Sequence, residues 1–103
     1  MIIVLATVES SVEDIQALRQ AIVDMEAASA KEPGNISYSF SAQIANPNTL
    51  QVVECWESTQ ALAAHFNTPH MAAFNEVMAK YPPKSVTAQA YDVAREVEIP
   101  MPK

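Results

Sequence analysis

The sequence is poor in the residues that would commit it to several common functions. One cysteine among 103 residues excludes an internal disulfide and leaves too few thiols for a zinc framework. Only 6 basic residues stand against 12 acidic ones, giving a formal net charge of −6, and no Lys/Arg patch exists. Nucleic acid or an anionic membrane is therefore not an expected partner. No apolar run approaches the length of a membrane span. The opening MIIVLATVE lacks a basic segment and then turns acidic, so it reads as a strand and not as a signal peptide. A cytoplasmic location is the expectation. Glycine occurs once, at Gly34 behind Pro33, and a lone glycine in such a corner marks a position that needs a positive φ.

Half of the residues are apolar, enough for a core, and the length suits one domain over residues 1–103. Its core is expected over about 2–92, with an extended, proline-spaced tail over about 97–103. Ile2 to Glu9 is rich in β-branched residues and reads as a strand apolar on both faces. Ser10 and Glu13 have the spacing of a capping box. Ile15, Leu18, Ile22 and Met25 recur at helical spacing, so a helix should run to about Ala30, before Pro33 and Gly34 turn the chain. Ile36, Tyr38, Phe40, Ala42 and Ile44 alternate with polar residues as in a strand. Asn46-Pro47-Asn48 is a turn, and Thr49 to Glu57 returns as the hairpin's second strand.

The stretch Val52–Phe74 contains the only Trp, the only Cys and both histidines. Side chains two apart on a strand share a face, so Glu54 and Trp56 point one way and Cys55 and Glu57 the other. Ser58 offers an N-cap to a short helix. Asn67-Thr68-Pro69 ends that helix, with Thr68 and Pro69 as the N-cap and first residue of the next. His65 lies near the face of Leu62, and His70, Phe74, Val77 and Tyr81 form one stripe of the longer helix. Both histidines should therefore face inward, and Glu54, Trp56, His65 and His70 should line one cleft. Pro82-Pro83 ends the helix, and Ser85 to Val97 reads as a last strand.

The resulting order, β-α-β-β-(α)-α-β, is the ferredoxin-like split β-α-β arrangement of the α+β class, an antiparallel sheet with helices on one face. The chain supplies nothing to cover the second face, so a homodimer joined through that sheet face is inferred.

Each candidate has a bland reading beside the functional one. Trp56 is either a core aromatic or the flat wall of a cavity. His65 with Glu54 is either a structural tie or a base tuned by a carboxylate. His70 sits in a first helical turn, where the helix dipole favours the neutral, base-competent imidazole. Cys55 reads as a small packed hydrophobe. Tyr38 and Tyr91 border either the cavity or the dimer interface. Two histidines and a glutamate could together hold a metal, but nothing has the spacing of a dedicated site, and no metal or other cofactor is expected.

The residues also carry a family resemblance over roughly 2–92. E-x-W-E-S at Glu54–Ser58, A-L-x-x-H at Ala61–His65 and P-H-x-x-x-F ending at Phe74 are its most specific parts. The Glu32-Pro33-Gly34 corner, Ser37-Tyr38 and the opening strand support them. The chain resembles the antibiotic biosynthesis monooxygenase family, small dimeric α+β barrel proteins that include quinol monooxygenases. The resemblance implies a cofactor-independent oxygenase acting on a small quinol-like or phenolic substrate with O2. Trp56, His65 and His70 match family positions bordering the substrate cavity; His65 and His70 are the catalytic candidates, and Trp56, Glu54, Tyr38 and Phe74 the substrate-binding ones. Haem-degrading relatives carry an iron-ligating His where Phe74 stands here and an Asn in the first strand, which this chain lacks; haem cleavage is not expected. Two alternatives stay open: a non-catalytic, stress-related binding dimer, and an isomerase of a small hydroxy-ketone.

Overall fold

The computed structural model describes residues 1–102 and follows the order β-α-β-β-α-α-β. The strands are β1 (Ile2–Glu9), β2 (Asn35–Ala42), β3 (Thr49–Trp56) and β4 (Ser85–Asp92). The helices are α1 (Val12–Ser29), α2 (Thr59–His65) and α3 (Pro69–Lys80). All strand pairs are antiparallel, in the order β2-β3-β1-β4. The α1 crossover carries the chain past one strand position, and β3 then fills the gap between β1 and β2. That is the split β-α-β of a ferredoxin-like α+β fold.

Alternation decides which side chains meet the helices. Ile2, Val4 and Val8 of β1 and Leu50, Val52, Glu54 and Trp56 of β3 are all buried. They divide into two cores. Leu18, Ile22 and Met25 of α1 and Phe74 of α3 close over Val8, Leu50 and Val52, while Ile2, Val4 and Trp56 form a second cluster towards α2. The candidate site lies beside this second cluster.

Local chemistry explains the helix boundaries. Ser58 Oγ accepts from the Ala61 N–H and Thr68 Oγ1 from the Met71 N–H, with Pro69 opening α3 as expected. At α1 the cap lies one residue later than the S-x-x-E spacing suggests. Ser11 Oγ accepts from the Asp14 N–H at 3.1 Å. Asn48 accounts for the shift, because its backbone oxygen takes the Ser10 N–H and its side chain takes the Val12 N–H. Ser10 is left buried, its hydroxyl without a partner.

Two strands differ from expectation. A register shift between Asn35 and Ser37 makes Ile36 the extra residue of a bulge and leaves it exposed; Ile44 lies beyond the strand, fully exposed. β4 ends at Asp92 and not near Val97, because its partner begins at Ile2 and the last bond runs from the Val93 N–H to the Met1 carbonyl. The tail is without regular structure as far as residue 102, and Lys103 lies outside the described residues. The sheet face away from the helices exposes Leu5, Val53 and Tyr91, and β4 is exposed along its whole length.

Gly34 has φ +83°, as the lone glycine suggested. A Cβ there would also fall 2.6 Å from Ala61 Cβ on α2, so the corner between α1 and β2 presses directly on that helix. Gly34→Ala should therefore add backbone strain to a steric clash and destabilise the fold by roughly 2–4 kcal/mol. Urea unfolding measures it, and a variant as stable as the parent would mean the corner and α2 are not in this contact.

Candidate functional site

Three separate pieces of chain bring one carboxylate and two imidazoles together. Glu32 sits in the corner after α1, where its N–H donates to the Ser29 carbonyl and its own carbonyl accepts from the Asn35 N–H. His65 is the last residue of α2, and His70 follows Pro69 in the first turn of α3. Thr68 links them: its Oγ1 donates to the His65 carbonyl at 2.7 Å while capping α3. The two rings consequently approach the corner from neighbouring helix ends.

Both rings end on the same oxygen. Glu32 Oε2 lies 2.6 Å from His65 Nδ1 and 2.8 Å from His70 Nε2. A carboxylate can only accept, so each imidazole presents an N–H to it. That places protons on His65 Nδ1 and His70 Nε2, so that in the neutral form of each ring His65 Nε2 and His70 Nδ1 are the acceptor nitrogens. The side chains grade from inside to outside: His65 is 1% exposed, Glu32 9% and His70 23%.

An aromatic layer surrounds His65. Its ring centroid lies 4.9 Å from Trp56, 5.4 Å from Tyr38 and 5.5 Å from Phe66. Trp56 has no exposed surface, and its Nε1–H donates to Glu54 Oε1 at 3.0 Å. Tyr38 and Glu54 are register partners on adjacent strands, so the phenol lies beside that carboxyl. Burial pushes the Tyr38 phenol well above its ordinary pKa, with Glu54, Glu32 and Glu26 adding to the effect. Burial also raises the Glu54 pKa; the Trp56 bond and His65 oppose this and Glu32 reinforces it.

Sequence reasoning brought together most of these groups but misassigned their partners. Glu54 and Trp56 do face the helices, and both histidines do point inward. Glu54, however, binds Trp56, and the histidines bind Glu32. The expected cleft is closed, with imidazole, indole and phenol packed on one another. Phe74 belongs to the main core and contacts Phe40, ring centroids 5.8 Å apart. Glu32 was missed as a site residue. The available signal was its place in the Glu-Pro-Gly corner, where the chain must turn against whatever helix ends lie beside it.

Two cavities adjoin the helices. The larger, about 230 Å³, lies between α1 and β2, with Arg19 and Glu26 on an otherwise largely apolar wall of Ile15, Ile22, Phe40 and Leu50. It contains no imidazole, and Glu26 is already engaged by the Phe40 N–H. The smaller, about 120 Å³, lies between α1 and α3 and is lined by Asp24, Met25, His70, Phe74 and Val77 among others. His70 is thus the member of the cluster that borders open space.

Residues 1–77 match the family described as antibiotic biosynthesis monooxygenase. The chain belongs to the antibiotic biosynthesis monooxygenase family. Solved structures share its fold. A proposed antibiotic biosynthesis monooxygenase of Deinococcus radiodurans is 23% identical, superposes with a TM-score of 0.88, and the match covers 96% of this chain and 98% of that one. A proposed family member from Nitrosomonas europaea is 18% identical with a TM-score of 0.85, over 92% of this chain and all of that one. At such identities the likeness speaks for the fold. An uncharacterized protein of Synechocystis sp. is 33% identical over 82 residues, 80% of this chain and 54% of that protein. The chain thus spans about half the length of this curated relative.

The Glu54 carboxyl generates a pH-dependent expectation. Its pKa is raised in the folded protein, so folding favours its protonated form. Its stabilising contribution is present below the unfolded pKa and is lost as pH rises through the folded one. Glu54→Gln keeps an oxygen acceptor for Trp56 without a charge. Its melting temperature relative to the parent should rise as pH increases from below the ordinary glutamate pKa through the raised folded one. A difference that stays constant with pH would show that Glu54 titrates as it does in the unfolded chain.

Proposed function

We propose that the protein is a cofactor-independent monooxygenase that oxidises a small quinol-like or phenolic substrate with O2. One observation carries this beyond family membership: His70 borders a largely apolar cavity while Glu32 holds its Nε2–H, leaving Nδ1 as the ring's acceptor. An imidazole backed by a carboxylate is a suitable general base near neutral pH. In this scheme His70 Nδ1 takes the phenolic proton, and the electron-rich phenolate reduces O2 directly. A hydroquinone and one O2 yield a hydroxyquinone and one water, so the substrate supplies all the electrons.

The remaining candidates take supporting parts. His65 anchors the inner side of Glu32 and is itself braced by Trp56 and Tyr38. Phe74 and Met25 wall the cavity. An apolar cavity of about 150 Å³ takes benzene. The observed 120 Å³ therefore accepts one aromatic ring after a small displacement of these side chains. The complete burial of Trp56 and His65 favours, as a second reading, a binding protein that keeps the packing without the chemistry.

The test is oxygen consumption with a panel of hydroquinones. His70→Ala should lower kcat/KM on the order of 10²–10⁴-fold while the circular dichroism stays native. His70→Gln should be similarly slow, since its amide keeps a donor for Glu32 but accepts no proton. Parent-like rates in both would remove His70 as the base and leave the binding protein. Proton exchange into a hydroxy-ketone without oxygen uptake would instead mark an isomerase.

The homodimer belongs to the same proposal. Leu5 and Val53 are register partners on the outer face, and Ile3 lies across from both Cys55 and Tyr91, so these side chains form one patch. β4, open on both faces, adjoins it. A second copy packed on this face buries the patch. Sedimentation should show a dimer at micromolar concentration, and Leu5→Asp should shift it to monomer. A stable monomeric parent would contradict the arrangement.

A further inference from the structure

We propose that Glu32, His65 and His70 form a binding site for one divalent first-row transition-metal ion, with zinc as the best-suited occupant, and that this ion inhibits the chemistry and is not a cofactor for it. The donor atoms are one carboxylate oxygen and two imidazole nitrogens, all within 4.8 Å of one another. Two histidines and a glutamate are a donor set that suits zinc, with a fourth position left for water.

The cluster is held in place before any ion arrives. Its residues come from a corner pinned by Gly34, from the end of α2 and from the start of α3, and the two helix ends are tied through Thr68. Present separations of 2.6 and 2.8 Å reflect shared hydrogens. Metal bonds of about 2.0–2.1 Å in a tetrahedral site place ligand atoms roughly 3.3 Å apart, so each carboxylate–imidazole pair must open by roughly 0.5–0.7 Å while the two imidazole nitrogens, now within 4.8 Å of each other, settle at the same spacing.

Charge and access favour the ion as well. No lysine or arginine pairs with Glu32 among the described residues; its ionic contacts are the two imidazoles. Glu54 and Glu26 lie close enough to act on the same Tyr38 phenol as Glu32, so the surroundings are acidic. A dication relieves that concentration of negative charge more fully than two shared hydrogens do. His70 borders the cavity between α1 and α3, whose wall also carries Asp24. This is the route by which an ion and its water reach the cluster.

Occupancy has a chemical consequence. A metal on His70 Nε2 displaces the hydrogen now shared with Glu32, and a neutral ring then carries its proton on Nδ1. The acceptor needed by the proposed reaction disappears. This inhibitory consequence rests on the reading of His70 as base; the binding itself does not.

The test titrates chelator-stripped protein with Co²⁺, following the visible absorption of the four-coordinate ion, and then displaces it with Zn²⁺ under calorimetry. One ion per chain should bind, with Zn²⁺ displacing Co²⁺. Glu32→Gln and His70→Gln, each checked for native circular dichroism, should weaken binding on the order of 100-fold or more, since even groups behind the ligands are worth 10–100-fold. Absence of saturable binding by the parent, or binding unchanged in both variants, would overturn the site. Stoichiometric Zn²⁺ should also suppress quinol-dependent oxygen uptake, with recovery on adding chelator. Binding at the cluster with undiminished uptake would keep the site and overturn the inhibition, and with it the assignment of His70 as base.

Discussion

One carboxylate oxygen ties three separate elements of this molecule together. Glu32 Oε2 is shared between His65 and His70, and through it the corner after α1 is tied to the end of α2 and the beginning of α3. An ionised carboxylate this poorly solvated is tolerable only with full hydrogen-bond compensation. Removing either imidazole leaves the charge partly uncompensated, which is more damaging than the net worth of the bond implies. The rest of the region follows from this requirement. Gly34 is needed because the corner must run against Ala61, and Thr68 because the two helix ends must meet at a fixed angle.

A second polar pair lies beneath the first. Glu54 and Trp56 satisfy one another on the inner face of β3, and the indole supports the His65 ring. Two carboxyl groups therefore sit in one partly aromatic environment with different partners. Glu54, whose partner is a neutral indole, has its pKa raised by burial. Glu32 has two imidazoles. Of the two, Glu54 is the group inclined to hold a proton. His70 lies at the border of the cavity between α1 and α3.

Much of the fold was legible because it depends on local pattern. Alternation along Ile36–Ile44, the Asn46-Pro47-Asn48 turn and the returning run Thr49–Glu57 identified the hairpin, observed as Asn35–Ala42 and Thr49–Trp56, and Ser58, Thr68 and Pro69 marked both helix starts. The departures are places where a distant partner intervened. Asn48 moved the first cap to Ser11, a bulge displaced Ile36, and the beginning of β1 limited the length of β4. The site shows the same division. The inward direction of Glu54 and Trp56 is a property of one strand and could be read from it. The pairing of Glu32 with His65 and His70 spans separations of 33 and 38 residues, and no spacing rule connects them. For the same reason the shared carboxylate was not visible in the sequence, and two histidines with a glutamate could be named as conceivable metal donors there without pointing to Glu32.

The tautomers of the two histidines test this account most directly. Long-range proton–nitrogen correlation spectra of ¹⁵N-labelled, metal-free protein at neutral pH distinguish protonated from unprotonated ring nitrogens. The shared carboxylate requires hydrogen on His65 Nδ1 and on His70 Nε2, and both signals should move in Glu32→Gln. Finding His65 protonated at Nε2 with Nδ1 bare, or finding both rings indifferent to Glu32→Gln, would contradict the arrangement on which the proposed chemistry stands.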